Sequence, residues 1–171
     1  DMQALAGIAY LTTKCYDSGL IAVPVTQSSV LEQLTAKTKF KILRIPTMPR
    51  HMMNASGKEG MKFVGDGIGG FIFPEFQPAF DAMYAIAKIL EMLAKSRTSL
   101  RKLNVQFPRR AFAITQVPCP WEAKGKVMRR LDEYSAHEKR LLVDGIKIFF
   151  DDAWVLVLPD RDKAAYHILA E

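Results

Sequence analysis

The residues best placed to do chemistry in this 171-residue chain lie between Met61 and Met83. An apolar stretch (Met61, Phe63, Val64) runs into Gly65-Asp66-Gly67-Ile68-Gly69-Gly70, then Phe71-Ile72-Phe73-Pro74, with a helix opening near Asp81. Gly65, Gly67 and Gly70 match the G-x-G-x-x-G spacing of a dinucleotide fingerprint, which requires a helix to begin where the glycines end. An extended Phe-Ile-Phe-Pro follows instead, so no helix N-terminus offers free N–H groups to a pyrophosphate. Two readings stay open. One is a plain glycine hairpin between two strands. The other is a loop that brings backbone and the Asp66 carboxylate against a small polar ligand, a close approach that glycine permits because it has no Cβ.

Other reactive side chains are scattered. His51, His137 and His167 fall on three separate segments with no carboxylate at ligand or triad spacing, so each lacks the orienting partner that acid–base chemistry needs. Glu75 follows Pro74 and either points beside Asp66 as a paired carboxylate or caps a turn. Cys15 and Cys119 stand far apart without C-x-x-C or histidine spacing, which implies neither zinc nor a disulfide framework and suits a reducing cytoplasm. Met48, Met52, Met53 and Met61 read as core filling. The charge of +6 is dispersed among acids. Lys124, Lys126, Arg129 and Arg130 precede Asp132 and Glu133 at helical offsets, so surface pairing accounts for them without nucleic acid. An anionic small molecule such as a phosphate ester remains compatible with that charge.

The elements that must position these residues follow from periodicity. With 49% hydrophobic and 25% charged residues, the chain can bury a core. No apolar run approaches the roughly 20 residues of a membrane span. The chain opens on Asp1, without the order of a signal peptide, and reads as an excised piece. A helix is expected over 2–14, a strand over 20–25, and a helix capped by Ser28 or Ser29, with Glu32 at the capping-box offset from Ser29. A strand over 40–45 and a Met-rich helix from Thr47 come next. After the glycine loop a helix over 80–95 presents Met83, Ile86, Ala87, Leu90 and Leu93 as its apolar face. This alternation predicts an α/β layer with a largely parallel sheet. A short helix follows over 99–105, and Phe107-Pro108-Arg109-Arg110 breaks the pattern. Beyond it come a strand (111–117), a helix (121–138) and short strands at 142–143, 146–150, 154–158 and 166–169, with Asp144-Gly145 as a hairpin turn. The expected domains are 1–108 and 109–171.

This order of elements, with its glycine loop, its helix-opening Asp81, Asp-Gly-Ile-Lys-Ile at 144–148 and a Trp154 strand before a turn, resembles the C-terminal half of the phosphohexomutases, the phosphomannomutase and phosphoglucomutase family. The resemblance implies a three-layer α/β sugar-binding third domain with a mostly parallel sheet. A small α+β, TATA-binding-protein-like fourth domain then follows. In the family the loop at 65–70 reads Gly-Glu-Met-Ser-Gly-His; here Asp replaces Glu, Ile68 the serine and Gly70 the histidine. The family's phosphate loop Arg-Pro-Ser-Gly-Thr-Glu-Pro aligns with Leu158-Pro159-Asp160-Arg161-Asp162-Lys163-Ala164, where only the proline survives. By this resemblance Asp66, with Gly65 and Gly67, contacts sugar hydroxyls, and Arg50 and Arg161 contact phosphate. The family's phosphoserine and magnesium-binding aspartates lie in its first two domains. The chain is therefore expected to be silent alone, with no catalytic or metal-binding residue and no cofactor of its own; Mg2+ belongs to the intact protein. The expected partners are a hexose phosphate and upstream domains of the same chain, not nucleic acid or membrane, in the cytoplasm. Gly-Gly-Phe-Ile-Phe-Pro-Glu-Phe and Trp-Val-Leu-Val-Leu-Pro-Asp resemble a branch fused behind a nucleotidyltransferase of the mannose-1-phosphate guanylyltransferase type. The alternative role is a regulatory or scaffold module for that enzyme.

Overall fold

A computed structural model describes residues 2–108 and 110–171. They divide into two compact units, 1–109 and 110–171.

The first unit runs α1 (Met2–Cys15), β1 (Gly19–Pro24), α2 (Val30–Thr35), β2 (Phe40–Ile45), α3 (Pro49–Ser56), β3 (Met61–Gly65), β4 (Phe71–Ile72), α4 (Ala82–Lys95) and α5 (Leu100–Gln106). Its sheet has the order β2-β1-β3-β4; the first three strands are parallel and β4 is antiparallel to β3. Because side chains alternate across a strand, the central strands feed two cores. Ile21, Val23 and Phe63 pack with Leu5 and Leu11 of α1 and Met92 of α4 on one face; Ala22, Val64 and Ile72 pack with Met52 and Ala55 of α3 on the other. Each fully buried large side chain contributes about 1.5–3 kcal/mol.

Three local expectations fail here for tertiary reasons. The capping box does not form: Ser29 makes no side-chain cap bond, Ser28 Oγ accepts from Val30 N at 3.1 Å, and Glu32 turns to Arg44. Asp81 does cap α4, accepting from Tyr84 N at 2.8 Å, but the helix buries a different face. Met83 is 85% exposed, and Ile86, Ala87 and Leu90 are exposed as well, while Ala85 and Met92 are buried. The helix is apolar around most of its circumference, and the sheet selects one of two stripes. Among the methionines, Met52 and Met61 fill the core as expected, and Met53 is exposed.

The second unit runs β5 (Ala113–Pro118), α6 (Trp121–Tyr134), β6 (Arg140–Val143), β7 (Gly145–Phe150), β8 (Ala153–Pro159) and β9 (Ala165–Ala170), an antiparallel sheet of order β5-β9-β8-β7-β6. The turn expected at 144–145 narrows to Asp144 alone, because Gly145 pairs with Val143 as the first residue of β7. Asp144 takes the left-handed conformation at φ 59°, while Gly145 is required because a Cβ there would overlap the Val157 carbonyl. Lys147 is 1% exposed, its ammonium 3.5 Å from the Trp154 ring centroid, a cation–π contact within the core. The charges expected to pair along α6 mostly look elsewhere: Lys124 reaches backbone carbonyls and Asp132 pairs with Arg140.

Candidate functional site

Because β1, β2 and β3 are parallel, the segments that follow them, 25–29, 46–48 and 66–70, emerge at one carboxyl edge of the sheet. Open α/β sheets place their ligands outside that edge. Arg50, second residue of α3, stands there exposed and makes no ion pair among the described residues.

The glycine loop is a hairpin that joins β3 to β4, closed by Asp66 N donating to the Gly70 carbonyl at 3.0 Å. Inside it, Asp66 Oδ1 accepts from the backbone N–H groups of Ile68, Gly69 and Gly70 at 2.8, 3.0 and 2.8 Å. Three amides converging on one point form the concave donor nest that elsewhere receives an anion. Here the chain's own carboxylate sits in it. Gly67 at φ 81° and Gly69 at φ 117° supply the backbone that only glycine adopts at low cost. At Gly70 a Cβ would overlap the Asp66 carboxylate and the Phe80 ring; at Gly65 it would overlap Leu5 and Phe63. Ile68 occupies the tip, 88% exposed. Gln27, after β1, donates from Nε2 to the Asp66 carbonyl at 3.1 Å and lies where a Cβ on Gly67 would be.

The 158–164 turn is also closed on itself. Asp160 Oδ1 accepts from Asp162 N and Lys163 N at 2.9 and 3.0 Å, and its Oδ2 meets His167 Nε2 at 2.8 Å. Those bonds, the Asp162 amide first, hold the Asp160 carboxyl below its usual range against partial desolvation. Lys124 Nζ donates to the carbonyls of Asp160 and Lys163 at 2.6 and 2.5 Å. Arg161 pairs with Asp144 at 2.8 Å. His167 therefore has the carboxylate partner that its spacing in the sequence did not announce.

Glu75 does not stand beside Asp66. It follows the antiparallel β4 and so emerges at the opposite edge, near Tyr16, which precedes β1. Tyr16 Oη and Tyr84 Oη donate to its two oxygens at 2.5 and 2.8 Å, and Lys88 Nζ lies 2.6 Å away. Burial alone would raise the Glu75 carboxyl, but the bonds from Lys88, Tyr16 and Tyr84 outweigh it and hold it below its ordinary value. Burial and the bond to Glu75 push the Tyr16 hydroxyl up to about 12. This is a fastener between α1 and α4, not a ligand site.

A mostly apolar groove of about 370 Å³ lies among Ala4, Gly7, Ile8, Phe71, Leu100 and Leu103, with Gln3 and Asn104 as its polar lining. It presents too few polar groups to match the hydroxyls of a sugar. Among the described residues no three His, Cys, Asp or Glu side chains converge as a group that could hold a metal ion.

A mostly parallel α/β/α layer carrying a glycine loop at its carboxyl edge defines the class: an open-sheet α/β domain. The chain belongs to the phosphoglucomutase/phosphomannomutase family, residues 2–110 matching that family's alpha/beta/alpha domain III. It is 28% identical over 155 residues to the probable phosphoglucosamine mutase of Methanopyrus kandleri, covering 90% of this chain and 34% of that protein. It is likewise 28% identical over 159 residues to a phosphoglucomutase/phosphomannomutase of Thermococcus kodakarensis, again covering 90% and 34%. The fold matches a phosphoglucomutase/phosphomannomutase family protein of Burkholderia thailandensis with a TM-score of 0.81 at 17% identity, over 99% of this chain and 36% of that one. The chain thus spans about a third of the length of the relatives it matches. No helix among the described residues is long and apolar enough to cross a membrane.

Proposed function

We propose that residues 1–108 are the sugar-facing third domain and 109–171 a TATA-binding-protein-like fourth domain of a cytoplasmic phosphohexomutase homologue, an intramolecular phosphotransferase acting on hexose phosphates. The observation that carries this reading is the glycine loop at the carboxyl edge of a sheet belonging to domain III of that family. Asp66 acts twice in it. Oδ1 holds the loop, and Oδ2, which makes no hydrogen bond among the described residues, remains to accept a sugar hydroxyl beside the backbone of Gly65 and Gly67. Arg50 and Arg161 are each candidate phosphate contacts, Arg161 once it leaves Asp144. The names of the relatives extend the substrate class to hexosamine phosphates. Phosphoryl transfer needs a donor in line with a hydroxyl and a metal to neutralise developing charge. Upstream domains of the same chain, with Mg2+, supply these, and the 171 residues alone are inactive. Calorimetric titration of glucose 6-phosphate, mannose 1-phosphate and glucosamine 6-phosphate tests the reading, with Asp66→Ala alongside. Binding weakened about tenfold by the substitution supports it, as expected for losing one charged hydrogen bond; equal affinity removes Asp66 from the site.

A second reading, a non-catalytic regulatory or scaffold module fused to a mannose-1-phosphate guanylyltransferase-like enzyme, is favoured by the 158–164 turn. Its amides are filled by Asp160 and its arginine is held by Asp144. The two readings part on whether the protein upstream carries both a Thr-Ala-Ser-His serine loop and an Asp-x-Asp-x-Asp metal motif. Finding both favours the mutase, and lacking either favours the module.

A further inference from the structure

We propose that Gln27 and Arg44 are positioning residues for the glycine loop, forming a relay that starts at the surface of α2 and ends at residues 66–70. Only the ligand-binding arm of the test below rests on the sugar reading of that loop. Arg44 lies on the edge strand β2, its side chain 10% exposed, and meets Glu32 of α2 through a fork: Nε to Oε1 at 2.7 Å and Nη2 to Oε2 at 2.6 Å. The same guanidinium donates to three carbonyls at the end of β1 and in the segment after it: Pro24 at 3.2 Å, Gln27 at 2.8 Å and Ser28 at 2.7 Å. Five fixed donors on one plane make this possible, and a lysine ammonium cannot span the same set.

With that backbone held, the buried Gln27 side chain reaches the neighbouring loop. Nε2 donates to the Asp66 carbonyl at 3.1 Å, and the amide occupies the space where Gly67 lacks a Cβ. Asp66 is gripped at both ends, its carbonyl by Gln27 and its carboxylate by the amides of 68–70. Three of the four residues 67–70 are glycines, the type with most conformational freedom to lose. A turn of that composition keeps one shape only if something outside it fixes an anchor. Gln27 provides the anchor and Arg44 places Gln27, which together decide where Ile68 and Asp66 Oδ2 stand at the sheet edge.

Two substitutions spare the core. Gln27→Met keeps the volume and removes the donor; Arg44→Lys keeps the charge for Glu32 and loses the fork. Amide hydrogen exchange at Ile68, Gly69 and Gly70, followed by NMR in the full chain, is expected to quicken about tenfold in Gln27→Met, as for the loss of one hydrogen bond. Core amides of β1 and β3 are expected to keep their rates, a distinction that general destabilisation would erase. Arg44→Lys is expected to quicken the same three amides although it touches none of them. Unchanged exchange at 68–70 in Gln27→Met overturns the relay, as does an Arg44→Lys effect confined to the amides of 25–28. Glucose 6-phosphate titration then separates the two readings. Faster exchange with weakened binding upholds both, whereas faster exchange with unaltered or absent binding upholds the relay and overturns the sugar assignment.

Discussion

The Asp66 side chain is short enough to fold its carboxylate into its own loop, where Oδ1 accepts from the amides of Ile68, Gly69 and Gly70. The glycine at 70 is part of the same arrangement, because any Cβ there would collide with that carboxylate. Gly70→Ala is expected to cost about 1–3 kcal/mol, in the range of local overpacking, and Asp66→Ala about 1–3 kcal/mol for three amides losing their acceptor. Urea melts of both single variants and the double variant check the coupling. The double is expected to fall short of the sum, since removing the carboxylate removes the closer of the two collisions and leaves only that with the Phe80 ring. Asp160 offers a pH test. Its folded-state pKa is depressed, so its contribution is present above the unfolded value of about 3.9 and is lost as pH falls through the lower folded value. The Asp162 and Lys163 amide resonances are expected to move only below about pH 4.

At the scale of elements, α4 carries two apolar stripes, and its sequence does not say which one the sheet takes. Met92→Ala on the buried stripe is expected to cost about 2–5 kcal/mol. Ile86→Gln on the exposed stripe is expected to stay within about 0.5 kcal/mol. Thermal or urea denaturation distinguishes the stripes directly. The tie between α1 and α4 also has a pH signature. Tyr16 keeps its proton to about 12 when folded, against about 10 in an unfolded chain, so its contribution is intact below pH 10 and disappears as pH rises towards 12. Spectroscopic titration of the tyrosines is expected to show a late-ionising group that Glu75→Gln brings back towards pH 10. The strand Phe40–Ile45 and the helix Met2–Cys15 were readable from sequence because each has a clear period and a break at its ends. The capping box at Ser29 and Glu32 misled, because Arg44 competes for the glutamate from twelve residues away.

For the whole molecule, a formal charge of +6 and a proposed anionic ligand carry a further expectation: the affinity for a hexose phosphate falls as salt screens the field, by a factor that calorimetry at two ionic strengths measures. The amino-acid order alone determined the alternation of strands and helices, the glycine turn at 65–70, and the likeness to the phosphohexomutases, because these depend on neighbours a few residues apart. Tertiary structure decided which face of α4 is buried, that Glu75 leaves Asp66 for Tyr16, Tyr84 and Lys88, that His167 meets Asp160, and that Gln27 and Arg44 brace the loop. Those contacts join residues brought together by the crossing of parallel strands or by the turn between strands. Their energies depend on distances that no local pattern encodes.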